Sequence, residues 1–133
     1  MARIEWMLPC ELAYFDRHAR ICMVGVTTQL LLPSLPMEMR QLMLVARLVD
    51  QRPGHALDLG VAIRTPGGEW ISPRSDDNIH VEVGSEYILV TLRDLPFVQE
   101  GVYRFGLHLA PEQFIAVDIP LFVMAPPQPV ECH

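Results

Sequence analysis

A large apolar side chain stands at every second position between Tyr103 and Leu109, and this alternation most constrains the fold. Successive side chains of a β-strand point to opposite faces, so a period of two predicts a strand with one buried face. Gly101, just before the stretch, allows a turn of the chain. The predicted inner residues are Tyr103, Phe105, Leu107 and Leu109, and the predicted outer residues are Val102, Arg104, Gly106 and His108.

The rest of the sequence predicts partner strands for this one. Alternating stretches recur at 3–8, 20–28, 41–49, 56–64, 79–83, 87–95 and 114–124, with a short return arm at 69–72. In the 41–49 stretch both faces are apolar, with Leu42 and Leu44 on one face and Met43 and Val45 on the other. Both sides of that strand are therefore expected to be partly covered.

Prolines set the predicted strand boundaries. The chain contains twelve of them, and proline interrupts helices and the hydrogen-bond ladders of sheets. Pro9 is expected to end the first strand, and Leu95-Pro-Phe-Val98 is expected to break the strand at 87–95. Pro120, inside the last alternating stretch, predicts an edge strand or a bulge. Residues 16–19, 51–54 and 65–68 have the composition of turns.

About seven to nine short strands at roughly 8–12-residue spacing are typical of a sandwich or a barrel. We predict an all-β, antiparallel two-sheet sandwich with one continuous core between its sheets. Residues 1–124 are expected to form one domain, and 125–133 a proline-rich, flexible tail. For Pro126-Pro-Gln-Pro129 a disordered end is favoured over a polyproline ligand.

Charge and cysteine content limit the partners and the compartment. The formal net charge is −6, which argues against a nucleic-acid backbone as the main partner. Cys10, Cys22 and Cys132 fit neither a disulfide framework nor a zinc site, which favours a reduced intracellular protein with incidental thiols. No cofactor is expected. The N-terminal residues lack the layout of a signal peptide, and no apolar run approaches the ~20 residues of a membrane span. We expect a cytoplasmic protein.

Several segments resemble a family of small uncharacterised bacterial proteins that is catalogued as a domain of unknown function. The residues that carry the resemblance are 8–13, 16–26, the proline-bearing segment 32–36, 42–48, 55–68 and 101–105. Ala19 stands where a turn glycine is expected. The resemblance covers most of the chain up to about Val123 and implies an immunoglobulin-like β-sandwich. It implies no activity, and no functional residue is carried over.

Two groups of polar residues are candidates for chemistry. His80 and Glu82 share a face of their predicted strand, and with His108 or Asp118 nearby they have the ligand types of a divalent metal site. An exposed polar sheet face is the favoured alternative. The loop at 72–78 carries Asp76 and Asp77, but adjacent carboxylates point apart on an extended chain. No nucleophile motif accompanies them, so a solvated loop is favoured there.

The apolar segment from Leu30 to Met39 is the main candidate for binding. Its two prolines exclude a regular helix, yet it is very apolar for a loop. If exposed, such a segment marks a partner surface, and methionines suit an adaptable one. The favoured alternative is a connection that crosses between the sheets and caps the sandwich. The candidate partner-binding residues are Leu31, Leu32, Leu35, Met37 and Met39.

These observations predict a non-enzymatic interaction or accessory module of a bacterial assembly. Its partner is expected to be another protein or a second copy, bound through the 30–39 segment and a free sheet edge. Two alternatives remain open. One is a small-ligand or carbohydrate-binding sandwich that uses an exposed aromatic such as Trp70. The other is a metal-dependent enzyme around His80, Glu82 and His108.

Overall fold

The computed structural model describes residues 3–49, 59–71, 79–84, 86–109 and 113–124. The predicted turn at 51–54, the loop with Asp76 and Asp77, and the tail at 125–133 lie outside the described residues. Within them the chain forms ten strands. These are β1 (Arg3–Phe15), β2 (Ile21–Val26), β3 (Leu30–Leu32), β4 (Met37–Val49), β5 (Leu59–Arg64), β6 (Trp70–Ile71), β7 (Ile79–Val83), β8 (Tyr87–Phe97), β9 (Gly101–Leu109) and β10 (Gln113–Val123).

The strands form two five-stranded sheets, which confirms the predicted all-β sandwich. Sheet A has the order β2-β1-β4-β8-β7, and sheet B has the order β3-β10-β9-β5-β6. The sheets bury one core between them, to which the predicted inner residues of β4 and β9 contribute. Its fully buried side chains include Leu42, Leu44, Ala46, Ile88, Val90, Leu92, Phe105, Leu107, Ile119 and Leu121.

One strand pair departs from the predicted antiparallel arrangement. β3 runs parallel to β10, with Leu30 opposite Leu121 and Leu32 opposite Val123. A hairpin would have made the pair antiparallel, but β3 is reached by a crossover. The chain leaves β2 in sheet A, contributes β3 to sheet B, and returns to sheet A as β4. Residues 33–36 thus cross between the sheets, as the alternative for this segment predicted.

The prediction that Pro9 ends the first strand is wrong, because β1 continues to Phe15. The Pro9 carbonyl accepts a hydrogen bond from the Thr27 amide at 2.9 Å, on the side away from β4. The nitrogen and carbonyl of a strand residue point to the same side, so the proline costs β1 no hydrogen bond to β4.

The same physical reason applies to the other strand prolines. The predicted break at 95–98 is wrong, since β8 continues through Pro96 to Phe97. The pairing of β8 with β7 ends earlier, at Leu92. At Pro96, β8 therefore has a neighbour on one side only. The edge strand or bulge predicted from Pro120 is not found, because β10 lies between β3 and β9 and its register with β9 is continuous. Pro120 nevertheless precedes Leu121, where the pairing with β3 begins, so at this position β10 is paired on the β9 side only.

Part of the outer face of sheet A, over β4 and β8, is covered by the chain itself. β1 pairs with β4 up to Cys10 and with β2 from Cys10 onward. Beyond this switch the Ala13 amide donates to Sδ of Met43 at 3.1 Å, on the outer side of β4. A second buried cluster results, which confirms that both faces of β4 are covered. Its members are Cys10, Ala13, Met43, Val45 and Leu89.

Candidate functional site

The structure divides the candidate binding segment at 30–39. Leu30 and Leu32 are 4% and 7% exposed and belong to the core. Leu35 and Met39 are half-buried and pack against the same core. Leu31 and Met37 are exposed, Leu31 by 49%. The alternation of β3 explains this division, because neighbouring residues of a strand point to opposite faces.

Leu31 has an exposed partner that the sequence analysis did not single out. It stands opposite Phe122 in the β3–β10 pair, and both side chains lie on the outer face of sheet B. Phe122 follows the buried Leu121 in the last predicted strand, whose period of two assigns Leu121 and Val123 to one face and Phe122 to the other, although Val123 is itself 37% exposed. Its outward position was therefore readable from the period of two, whereas its contact with Leu31 required the parallel register of β3.

The candidate metal ligands are not brought together. His80 and Glu82 pair with each other on the outer face of sheet A, with Nε2 and Oε1 3.2 Å apart. His108 lies on the outer face of sheet B, where its ring centroid is 4.5 Å from that of Phe114. Asp118 forms an ion pair with Arg104. Among the described residues no three His, Cys, Asp or Glu side chains are grouped to hold a metal ion.

An aromatic patch, formed by Trp70, His108 and Phe114, occupies the outer face of sheet B. Phe114 is directly opposite His108 in the β9–β10 pair, and its ring lies over Gly106. A Cβ built on Gly106 would stand 2.5 Å from Cζ of Phe114, so any larger residue at this position would force the ring to move from its place. Trp70 meets Phe114 edge to face, with centroids 6.3 Å apart and planes at 72°.

The aromatic patch surrounds a shallow hollow of about 370 Å³, and Ala62 forms its remaining wall. The Trp70 side chain is 51% exposed. The sequence analysis identified Trp70 but missed Phe114 and Gly106. The available signal was the glycine itself, because a glycine inside a strand often marks a close approach of another group.

A row of charges crosses the same sheet face beside the patch. Arg104 donates from Nε and Nη2 to the two carboxylate oxygens of Asp118, at 2.8 and 3.1 Å. These hydrogen bonds, and the charges of Arg104 and Arg64, hold the pKa of Asp118 below its usual value. Arg64 stands opposite Arg104 and has no ion pair of its own among the described residues. The row therefore carries one uncompensated positive charge.

The arginine row borders a second hollow of about 150 Å³. Its walls are Arg64, Thr65, Pro66, Val102, Arg104 and Asp118. The outer face of sheet B thus has an aromatic end and a cationic end. Small residues lie between the larger side chains, which keeps this face low and open. They are Gly60, Ala62, Gly106 and Ala116.

Comparisons with known proteins extend this description. None of the curated proteins matches the sequence. Among solved structures, the Ig1 domain of mouse SynCAM 2 is similar with 18% identity over 77% of this chain and 96% of that chain, at a TM-score of 0.34. The M1 domain from titin is similar with 12% identity over 63% of this chain and 78% of that chain, at a TM-score of 0.33. The sandwich assignment rests on the sheet topology and not on these scores.

Two further findings concern membrane-spanning helices and the protein family. In the part of the chain that the structure describes, no helix has the length and apolarity that crossing a membrane requires. The family model described as "Family of unknown function (DUF6941)" matches residues 5–123, which include every strand described above except the first two residues of β1. The resemblance inferred from the sequence is confirmed, and the chain belongs to this family of unknown function.

Proposed function

We propose that this chain is a non-catalytic protein-interaction module, and that its binding surface is the outer face of sheet B. The observation that carries the proposal is the exposed Trp70–Phe114 pair, which is held in place over Gly106. Tryptophan, tyrosine and arginine dominate the energetics of protein interfaces, where rigid aromatic side chains act as anchors. This face offers two such aromatic side chains beside Arg64 and Arg104.

The charge row defines the chemistry of the proposed partner. Within the described ranges Arg64 forms no ion pair of its own, and the nearby Asp118 is engaged by Arg104, although the formal net charge of the chain is −6. A partner with an apolar centre and a neighbouring carboxylate would fill the aromatic hollow and pair with the Arg64 guanidinium. Arginine binds carboxylates in a planar, two-point geometry, which makes such a contact selective.

A protein partner fits the aromatic patch better than a carbohydrate does. Sugar hydroxyls need several polar groups that fix their orientation, as small-molecule sites usually provide. The side chains around the aromatic hollow offer only the ring nitrogens of Trp70 and His108, because the other walls are Ala62 and Phe114. A mainly apolar protein surface requires fewer hydrogen bonds there.

Only part of the 30–39 segment belongs to the proposed binding surface. Leu31, with Phe122, extends the binding face at the sheet edge formed by β3. Met37 is the other exposed member of the segment. Leu32, Leu35 and Met39 contribute indirectly, because their contacts with the core fix the position of β3.

The non-catalytic part of the proposal is supported by how the charged side chains are used. The described carboxylates nearest to candidate sites are engaged in simple ion pairs, His80 with Glu82 and Arg104 with Asp118. Cys10 and Cys22 are free, which is typical of a reducing compartment and supports a cytoplasmic location. We further propose that the module is an accessory subunit of a larger assembly.

Affinity capture with matched variants tests the proposal. The tagged protein is compared with Trp70→Ser/Phe114→Ser, which removes the aromatic patch. The control is Val24→Ser/Val26→Ser, which removes two similarly exposed apolar side chains from β2 in sheet A. Urea denaturation first establishes that all three proteins fold.

The expected result is one stoichiometric protein that the wild type and the β2 control retain and the patch variant loses. The interaction should be reproduced with both purified components. Retention by the patch variant would overturn the assignment of this face. A parallel calorimetric titration with mono- and oligosaccharides tests the alternative of a carbohydrate-binding protein. Sugar binding that is lost when Trp70 is replaced would favour that alternative over a protein partner.

A further inference from the structure

The edge strand β7 has a sequence in which complementary residues, His80 and Glu82, lie on either side of Val81. β7 is the last strand of sheet A and pairs with β8 through residues Ile79–Val83. On its other side no strand of the described ranges pairs with it. An edge strand of this kind presents unpaired amide and carbonyl groups, which favour pairing with another chain.

The backbone groups that point away from the sheet can be identified. The Gly84 amide donates to the Tyr87 carbonyl at 2.8 Å, so the backbone polar groups of residue 84 face β8. In an antiparallel pair the hydrogen-bonded positions alternate, which directs the groups of His80 and Glu82 to β8 as well. The amides and carbonyls of Ile79, Val81 and Val83 therefore point outward, to the open edge.

We propose that two copies of this chain associate through their β7 edges, antiparallel and centred on Val81. A two-fold axis at Val81 places His80 of one copy opposite Glu82 of the other, and the reverse contact follows by symmetry. Val81 would form a hydrogen-bonded pair with its own copy. Ile79 of each copy would pair with Val83 of the other in the same way.

Complementary polar groups carry this proposal. The His80–Glu82 positions would be non-hydrogen-bonded pairs, in which opposing side chains come closest. Both side chains are more than half exposed, and their contact at 3.2 Å within one chain shows that the two groups suit each other as hydrogen-bond partners. Across the edge, an imidazole N–H of one copy can donate to the carboxylate of the other, whereas two facing carboxylates repel each other.

Apolar burial would add to the association. Val81 and Val83 are 38% and 47% exposed. A further strand beside β7 would cover part of this apolar surface, and β-branched side chains gain stability from such cross-strand packing. The shared edge is only five residues long, which is small beside a standard interface of about 1,600 Å². We therefore expect a reversible dimer that dissociates at low micromolar concentration.

The symmetry has a consequence for the proposed function. A two-fold axis that relates antiparallel edge strands is perpendicular to the sheet, so each copy keeps its sheet B on the same side of the joined sheet A. Both outer faces of sheet B would then point in one direction. Such a dimer would bind a partner that carries the same epitope twice through two sites at once, which raises the overall affinity without new contacts.

Analytical ultracentrifugation over a range from about 1 µM to about 1 mM tests the association. The wild type should shift with concentration from the 15.1 kDa mass of one chain toward twice that value. Val81→Pro should remain monomeric, because its amide points outward and proline removes no hydrogen bond to β8. A wild type that stays monomeric throughout, or a Val81→Pro variant that dimerises equally well, would overturn the proposal.

A charge-swap mixture tests the register. His80→Glu places carboxylates at both positions, which repel each other. Glu82→His places imidazoles at both, which removes the carboxylate acceptor. Each variant alone should therefore be monomeric at concentrations where the wild type dimerises. Mixed together, the two variants regain facing imidazole and carboxylate groups, and only between chains. We expect heterodimers in the mixture alone. Dimers of either single variant, or no heterodimer in the mixture, would contradict the pairing about Val81.

Discussion

The ring of Phe114 lies over Gly106, at the place where any larger residue would put its Cβ. The two residues belong to neighbouring strands, β10 and β9, and are in diagonal register rather than directly opposite. This contact turns an otherwise rotatable phenylalanine into one wall of the aromatic hollow. It therefore joins the fold of sheet B to its proposed binding function.

Replacing Gly106 with alanine should displace the Phe114 ring. The added methyl group would stand 2.5 Å from Cζ, so the ring has to swing away from residue 106. Because Phe114 is 45% exposed and its ring can move toward solvent, we expect a loss of unfolding free energy of at most about 1 kcal/mol, the lower end of the usual cost of overpacking. Urea denaturation measures the loss. Gly60→Ala is the control, because its Cβ would meet only Cβ of His108 at 3.8 Å. Equal effects of the two substitutions, or no relief in a Phe114→Ala background, would refute the contact.

Ala19 should become more stable as glycine. Its φ is 60°, a left-handed conformation that costs a residue with a Cβ roughly 1–2 kcal/mol. The turn is fixed by Asp16, whose carbonyl accepts the Ala19 amide at 3.0 Å. After the entropic cost of glycine, Ala19→Gly should gain about 0.5–1 kcal/mol in denaturation experiments. Ala116→Gly, within β10, should instead lose stability. If Ala19→Gly were destabilising and Ala116→Gly stabilising, the backbone at Ala19 would not be strained.

Tyr103 should be among the most costly residues to truncate. Its side chain is 3% exposed, meets Phe97 edge to face at 5.0 Å, and donates its hydroxyl to the Gln99 carbonyl at 2.8 Å. We expect Tyr103→Ala to cost ~3–5 kcal/mol of unfolding free energy. Tyr103→Phe keeps the ring and should cost only about 1 kcal/mol. A similar loss in both variants would assign the effect to the hydroxyl instead of the ring.

Asp118 should contribute to stability only above acidic pH. Its hydrogen bonds from Arg104 hold the pKa of the folded carboxyl below the usual 3.8, with further lowering by the charges of Arg104 and Arg64. Because the pKa of Asp118 is lower in the folded than in the unfolded state, its contribution to the unfolding free energy is complete above the unfolded-state pKa, near pH 4. The contribution is lost as the pH falls through the folded-state pKa. The effect is reduced by solvent, because the pair is nearly half exposed.

Urea denaturation of the wild type and Asp118→Asn at several pH values measures this dependence. The variant should be slightly less stable at about pH 7, and the two curves should converge as the pH falls through the lowered folded pKa of Asp118. Added salt should reduce the difference at neutral pH. A difference that stays constant down to the lowest pH would mean that the carboxylate charge plays no part.

The sequence predicts side-chain faces better than it predicts strand ends. The period of two correctly placed Tyr103, Phe105, Leu107 and Leu109 in the core, because burial repeats with the pleat of the strand. It misplaced the ends at Pro9 and Pro96. Whether a proline breaks a strand depends on whether its nitrogen faces a neighbouring strand, and that is decided by sheet order.

The candidate site was only partly predictable for a similar reason. Trp70 is recognisable as a large aromatic residue at a turn, and Leu31 as part of an unusually apolar segment. Their neighbours Phe114 and Phe122 come from a strand about 40 residues or more away in the chain, and the sheet register alone brings them together. His80 and His108 failed to form one site because their strands belong to different sheets.

Photo-crosslinking from position 70 in the organism of origin tests the central claim most directly. A photoreactive phenylalanine analogue replaces Trp70 in one strain and Val24, on sheet A, in another. The account predicts one dominant protein adduct from position 70 that is absent from position 24 and disappears when Phe114 is also changed to serine. Adducts from position 24 alone, or equal adducts from both positions, would contradict a binding surface on the outer face of sheet B.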